Sequence, residues 1–289
     1  MVPIGIMQGR LLPPTADRIQ CFPRSGWEEE FPRAAQAGLD SIEWIYDLHG
    51  ADVNPLATDS GIATLLRLSR QHGVALRSVC ADYFMDRPLV RATPSERGER
   101  LATLRWLLER CHQCGMGRMV LPFVDASRIE SQEDARAVIE ALRSGLPELE
   151  RTRVEIHLET SLGPEAFRAL VSEVNHPLVK INYDSGNSAA LGYDVREEFA
   201  AYGQHVGSVH IKDRLRGRGT VPLGTGAVDF SVLFRCLQAS KYAGPIVLQA
   251  ARGAPGGEVE LARSNRSFVL DHRARTPLPD FSGGSRCVS

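Results

Sequence analysis

The run Val154-Glu155-Ile156-His157-Leu158-Glu159 alternates apolar and ionisable residues, so a strand here sets Glu155, His157 and Glu159 on one face, with Glu159 last. Lys180-Ile181-Asn182-Tyr183-Asp184 repeats the arrangement with Asn182 and Asp184, a later run aligns His210 with Lys212, and Ile246-Val247-Leu248-Gln249 finishes in a side-chain amide. Glu159, Asp184, His210 and Gln249 together offer two carboxylates, an imidazole and an amide oxygen. That donor set suits one divalent ion: Mn²⁺, Mg²⁺ or Co²⁺, with Zn²⁺ as the alternative. Any one of these residues alone reads as a hydrogen-bonded core group. Their recurrence at the ends of successive strands points to chemistry, because buried charge without a partner or a metal is costly.

Something must bring those strand ends to one place. Short β-rich runs at 3–8, 40–45, 75–81, 118–124, 153–159, 179–184, 207–212 and 245–249 alternate with amphipathic stretches at 27–37, 61–72, 96–113, 132–146, 164–174, 195–202, 229–239 and 258–267. Eight βα units predict an α/β fold, a closed (β/α)₈ barrel whose strand carboxyl ends form the active-site mouth. An open doubly wound sheet needs a glycine-rich phosphate turn after an early strand, and the sequence has none. Helix starts are punctuated by Ser131 and Pro94-Ser95-Glu96, and helix ends by Gly38, Gly73 and Gly115. One domain over residues 1–272 is expected, followed by a loose, breaker-rich tail at 273–289.

The 289 residues carry 34 basic against 35 acidic side chains, a balance that gives no field for nucleic acid or an anionic membrane. No apolar run approaches the roughly 20 residues of a membrane span. The amino terminus reads as a first strand and not as a leader, so a cytoplasmic location is expected. Six cysteines are too sparse for a disulfide framework, and the Cys111/Cys114 pair sits in a helical pattern, where packing is the expected role.

In order along the chain, Gly5-Ile6-Met7-Gln8-Gly9-Arg10, Ser41-Ile42-Glu43-Trp44-Ile45, His157-Leu158-Glu159-Thr160, Ile181-Asn182-Tyr183-Asp184-Ser185-Gly186-Asn187, His210-Ile211-Lys212-Asp213 and Pro222-Leu223-Gly224-Thr225-Gly226 resemble the xylose-isomerase-like TIM-barrel sugar isomerases and epimerases. The chain is similar to the sugar-phosphate isomerase/epimerase proteins within that family, and the resemblance spans nearly the whole chain. It implies that Glu159, Asp184 and His210 are metal ligands and that Glu159 doubles as a base. Two positions depart from the better-known epimerases. Gln249 stands in place of a second glutamate and cannot accept a proton at ordinary pH, and Asn187 stands where a substrate histidine is common.

Isomerising or epimerising a sugar beside its carbonyl needs proton removal from carbon and stabilisation of the resulting enediolate, for which a metal serves as Lewis acid. Glu159 is the expected base, with Lys212 or His157 as the group that returns or relays a proton; a structural pairing of Lys212 with Asp184 or Glu159 is the other reading. Glu43 is placed to bind a substrate hydroxyl, to orient a ligand or to form an internal ion pair. Gln8, Arg10 and Asp82 lie at strand ends where loops build a pocket. Asn187 and Arg214 complete the expected substrate contacts, and Arg214, Arg216 and Arg218 form a loop suited to a phosphate or simply to solvent.

The expected partner is thus a small sugar or sugar phosphate, with neither nucleic acid nor membrane, and a homo-oligomer is compatible with the pattern. Two further functions compete: a metal-dependent lyase on a keto-sugar or sugar acid, which needs no opposing base, and a non-catalytic sugar-binding protein. Abasic-site DNA cleavage is set aside, since it calls for many more histidines and a basic face.

Overall fold

Short strands of β-branched and small apolar residues, each followed by a glycine or polar turn and an amphipathic helix, close on themselves in the computed structural model, which describes residues 2–15 and 18–276. The barrel strands are β1 (Ile4–Met7), β2 (Ser41–Ile45), β3 (Ala75–Cys80), β4 (Arg118–Phe123), β5 (Glu155–Thr160), β6 (Val179–Asp184), β7 (Val206–Ile211) and β8 (Ile246–Leu248). All eight run parallel, and β8 pairs with β1 to complete the ring. Every expected strand is present, to within a residue or two at its ends.

The enclosing helices are α1 (Glu30–Gln36), α2 (Asp59–His72), α3 (Pro94–Gln113), α4 (Gln132–Thr152), α5 (Pro164–Val174), α6 (Val195–Tyr202), α7 (Phe230–Ala239) and α8 (Glu258–Arg275). Local chemistry sets their limits. Thr93 and Glu96 form a reciprocal capping box at α3, Ser131 accepts from Asp134 N–H at α4, and Gly73 ends α2 in the left-handed conformation.

α4 runs past its expected end at 146 to Thr152 and carries Pro147 inside it. The proline removes one ladder bond, but buried Leu149 and Thr152 continue the packed face beyond it, and that packing outweighs the breaker. α8 likewise extends to Arg275, beyond the expected domain limit at 272; the rest of the expected tail, 277–289, lies outside the described residues. A short helix at Ser185–Leu191, directly after β6, was not expected. Among the described residues no helix is long and apolar enough to cross a membrane.

Apolar side chains from strands and helices form one continuous core that includes Ile42, Trp44, Leu65, Met119, Ile156 and Leu233. Cys111 and Cys114 are buried in it as free thiols, which burial pushes well up, Cys114 to about 12. This is a packing role with no thiolate chemistry.

Candidate metal centre and active site

The polar exceptions to that core gather at the carboxyl ends of the strands. Register sets their heights: Asp184 lies beside His210 across β6 and β7, and Val247, two residues before Gln249, pairs with His210 on the other side. The ligand atoms of Glu159, Asp184 and His210 all lie within 4.8 Å of one another, and all three residues are buried. Gln249 is 6% exposed on the same rim, just past the end of β8, where its N–H reaches the carbonyl of Ile211.

Each ligand candidate is held from behind. His210 Nε2 lies 2.6 Å from Glu43 Oε1, and Ser78 Oγ donates to the other Glu43 oxygen at 2.6 Å. The free face of the imidazole is therefore Nδ1, which comes within 3.3 Å of Glu159 Oε2 without the alignment of a hydrogen bond. Asn182 Nδ2 donates to Glu159 Oε2 and Asn187 Nδ2 donates to Oε1, both at 2.8 Å. Asp184 caps the helix that follows it, its Oδ1 accepting from Asn187 N–H at 2.8 Å, while Oδ2 stands 3.4 Å from Lys212 Nζ. Gly186 has to be glycine for this approach, since a Cβ there would fall 2.7 Å from Lys212 Cγ.

The electrostatics favour a cation. Burial lowers the basicity of His210, yet the carboxylates of Glu43 and Glu159 overcome it and hold the imidazole at about 10. Burial, reinforced by the charge of Glu159, raises the Asp184 carboxyl; for Glu159 the burial effect is outweighed by His210 and Lys212, and its carboxyl stays below the ordinary range. Three carboxylates thus crowd one imidazole and one ammonium, and two buried polar atoms, His210 Nδ1 and Gln249 Oε1, have no hydrogen-bond partner. An unpartnered amide oxygen and an unpartnered ring nitrogen beside clustered carboxylates fit a divalent ion, which would take the place of the proton that the carboxylates hold on the imidazole.

The other expected site residues fall in different places. Glu43 is under His210 and 1% exposed, so its contact is with the imidazole and not with the open rim. Gln8, expected as a substrate contact, is also 1% exposed, and its oxygen accepts from Ile45 N–H at 2.8 Å. It ties β1 to the end of β2. His157 sits one layer below the rim with Nε2 2.9 Å from Glu155 and Nδ1 2.7 Å from Ser208. From Ser208 the contact passes to Asn182 and so to Glu159, so fully buried His157 connects to the rim only through that chain. Gly207 leaves it room, as a Cβ there would meet the imidazole at 2.6 Å.

Arg214 Nη1 donates to Asn187 Oδ1 at 2.9 Å, at the edge of the site, whereas Arg216 and Arg218 are exposed. The glycine-rich run that follows wraps buried Asp213, whose carboxylate accepts from the N–H groups of Gly224 and Gly226. It serves as a fixed connector.

Two polar residues were missed from the sequence. Gln20, in the long loop after β1, reaches over the mouth to both Asp82 and Gln249. Glu30, the first residue of α1, is buried against Gly9 N–H, and burial pushes its carboxyl up to about 8. Neither lies in a strand, so no alternation marks it; the one hint for Glu30 is its place on the apolar side of the helix beside Phe31 and Ala34.

Comparison with known proteins agrees with this architecture. Residues 31–269 match the family described as xylose isomerase-like TIM barrel, and the chain belongs to that family. It is 26% identical over 249 residues to an L-ribulose-5-phosphate 3-epimerase of Salmonella paratyphi A, covering 82% of this chain and 87% of the relative. Among solved structures, the fold is shared with the IOLI protein carrying a bound zinc atom, at a TM-score of 0.75 and 17% identity over 95% of this chain and 99% of the other. It is shared equally with a D-allulose 3-epimerase from Methylomonas sp., at a TM-score of 0.73 and 19% identity over 94% and 98% of the two chains.

Proposed function

From membership of that family and the geometry of the rim, we propose that this protein is a divalent-metal-dependent isomerase or epimerase of a small sugar or sugar phosphate. The observation that carries the reading is the trio Glu159, Asp184 and His210, with its ligand atoms within 4.8 Å of one another and His210 Nδ1 left free by Glu43. The similarity to epimerases named for L-ribulose 5-phosphate and D-allulose supports the substrate class.

Glu159, Asp184 and His210 would hold the ion, with Gln249 Oε1 as a neutral fourth donor. When bound, such an ion supplies Lewis-acid charge to substrate oxygens beside the reacting carbon. Glu159 is the base that takes the proton next to the carbonyl, and the two amides on its oxygens fix its direction. Lys212, partly exposed beside Asp184, is the candidate to return a proton to carbon of the enediolate, restoring the C–H bond that Glu159 breaks. Asn187 and Arg214 line the edge where the hydroxyl chain or its phosphate passes, and an arginine there can pair with either.

A second reading, a lyase on a keto-sugar, draws on Gln249, because elimination needs only one base. Incubation in D₂O with Mn²⁺ and either L-ribulose 5-phosphate or D-allulose separates the two. Deuterium at the carbon beside the carbonyl, with composition otherwise unchanged, is the expected result. Loss of water or carbon dioxide would favour the lyase, and no exchange with either sugar would remove the isomerase reading.

A further inference from the structure

Gln249 belongs to an amide chain whose direction is fixed at both ends. Gln20 Nε2 donates to Asp82 Oδ2 at 2.8 Å, and the other Asp82 oxygen accepts from Cys80 Sγ at 3.1 Å. An ionised carboxylate can only accept, so it takes the NH₂ side of Gln20. On the opposite side, Gln20 Oε1 accepts from Arg10 Nη2 at 3.3 Å, and a guanidinium can only donate. An anion and a cation thus allow Gln20 a single orientation.

Gln20 Oε1 also accepts from Gln249 Nε2 at 2.8 Å. The Gln249 amide must therefore turn its NH₂ toward Gln20 and its oxygen away, and that oxygen is the buried atom left without a partner. The register makes the reach natural: Cys80 pairs with Val120 on β4, and two residues further Pro122 pairs with Glu159, so Asp82 stands at the height of Glu159. Burial pushes the Asp82 carboxyl to about 6, which still leaves it ionised above neutrality.

We propose that Asp82, Arg10 and Gln20 form a positioning relay that presents Gln249 Oε1 as a ligand to the divalent ion, making an amide serve where a carboxylate would need no orientation. The inference rests on the metal-site reading given above. It explains how a neutral side chain fills a ligand position: an amide has one donor end and one acceptor end, and only the second binds a cation. A carboxylate has two equivalent acceptors, so no relay is needed to choose which of its atoms faces the ion.

That difference supplies the experiment, which reads Mn²⁺ affinity by electron paramagnetic resonance of the free ion on the full chain, without substrate. Q20L, in a surface loop, removes both ends of the relay's central amide. It is expected to weaken Mn²⁺ binding by about tenfold, the scale of lost outer-shell support, and D82L is expected to do the same. In the Q249E background neither substitution should weaken Mn²⁺ binding by more than about twofold, and relief of the contact between the introduced carboxylate and Gln20 Oε1 would only strengthen it; D82N, which keeps an acceptor for Gln20, should retain most of the parent affinity.

Equal losses in both backgrounds would assign the relay to loop structure alone and overturn the proposal, as would unchanged affinity in Q20L and D82L. If any variant loses its circular dichroism or melting transition, Q20A, which leaves the loop backbone unaltered, replaces it under the same criterion. If the unaltered protein binds Mn²⁺ no better than D184N, the metal-site reading fails and the relay with it. A relay failure with intact metal binding is thus told apart from failure of the site.

Discussion

The two sides of the barrel mouth are built differently. On the β5–β7 side, each functional group is fixed by a neighbouring strand or by the helix that follows it: Asn182 holds Glu159, and Asp184 caps its own helix. On the β8–β1–β3 side, the corresponding group is fixed by a loop, with Gln20 bridging to Gln249 across 229 positions of chain. Strand-borne side chains inherit their direction from the pleat, whereas the loop-borne side depends on polar contacts that only the folded chain brings together. The first half is therefore a rigid anionic pocket, and the second is a polar frame that tunes it.

This contrast sets an order of sensitivities. The largest effect is expected at Glu159: Glu159→Gln should lower turnover by about a thousandfold while the melting transition survives. Near-normal turnover would remove Glu159 as the base and break the contrast at its strongest point. Next comes Glu43, buried beneath His210: Glu43→Ala should weaken Mn²⁺ binding by roughly 10- to 100-fold, because His210 loses the partner that frees Nδ1. Metal titration reads this directly, and a loss confined to kcat would instead place Glu43 in contact with substrate.

A smaller effect is expected at Gly207, below the mouth. Gly207→Ala should destabilise the fold by about 1–3 kcal/mol, since its methyl would press on the His157 ring, and denaturant melts measure it.

On the loop side, at Glu30, the expected effect depends on pH and vanishes at the acid end. Its folded pKa is about 8 against an ordinary 4.5, so between these values the folded chain keeps a proton that the unfolded chain has released. Stability contributed by the neutral form is complete below 4.5 and is lost as pH rises through 8, by at most about 1.4 kcal/mol per pH unit. Glu30→Gln should therefore melt higher than the parent protein at pH 8, with the gap closing toward pH 4.5. A constant gap across that range would mean that the carboxyl is not held neutral.

The same contrast explains what the sequence reveals and what it hides. Period-two alternation located Glu159, Asp184 and His210, because strands convert spacing into direction. It also placed His157 and Gln8 on inward faces, but depth within the barrel decides whether such a face meets substrate or core, and depth depends on register. His157 lies one layer too low, and Gln8 spends its oxygen on a backbone N–H. Gln20 and Glu30 stayed hidden because loops and helix starts carry no comparable period. α4 ran past Pro147 because packing at Leu149 lies outside any local propensity.

The most direct test is a crystal of the protein grown with Mn²⁺ and measured at the manganese absorption edge. One anomalous peak per chain is expected at about 2.0–2.4 Å from Glu159, Asp184, His210 Nδ1 and Gln249 Oε1. A peak elsewhere, or none at these side chains in a crystal saturated with the ion, would contradict the account.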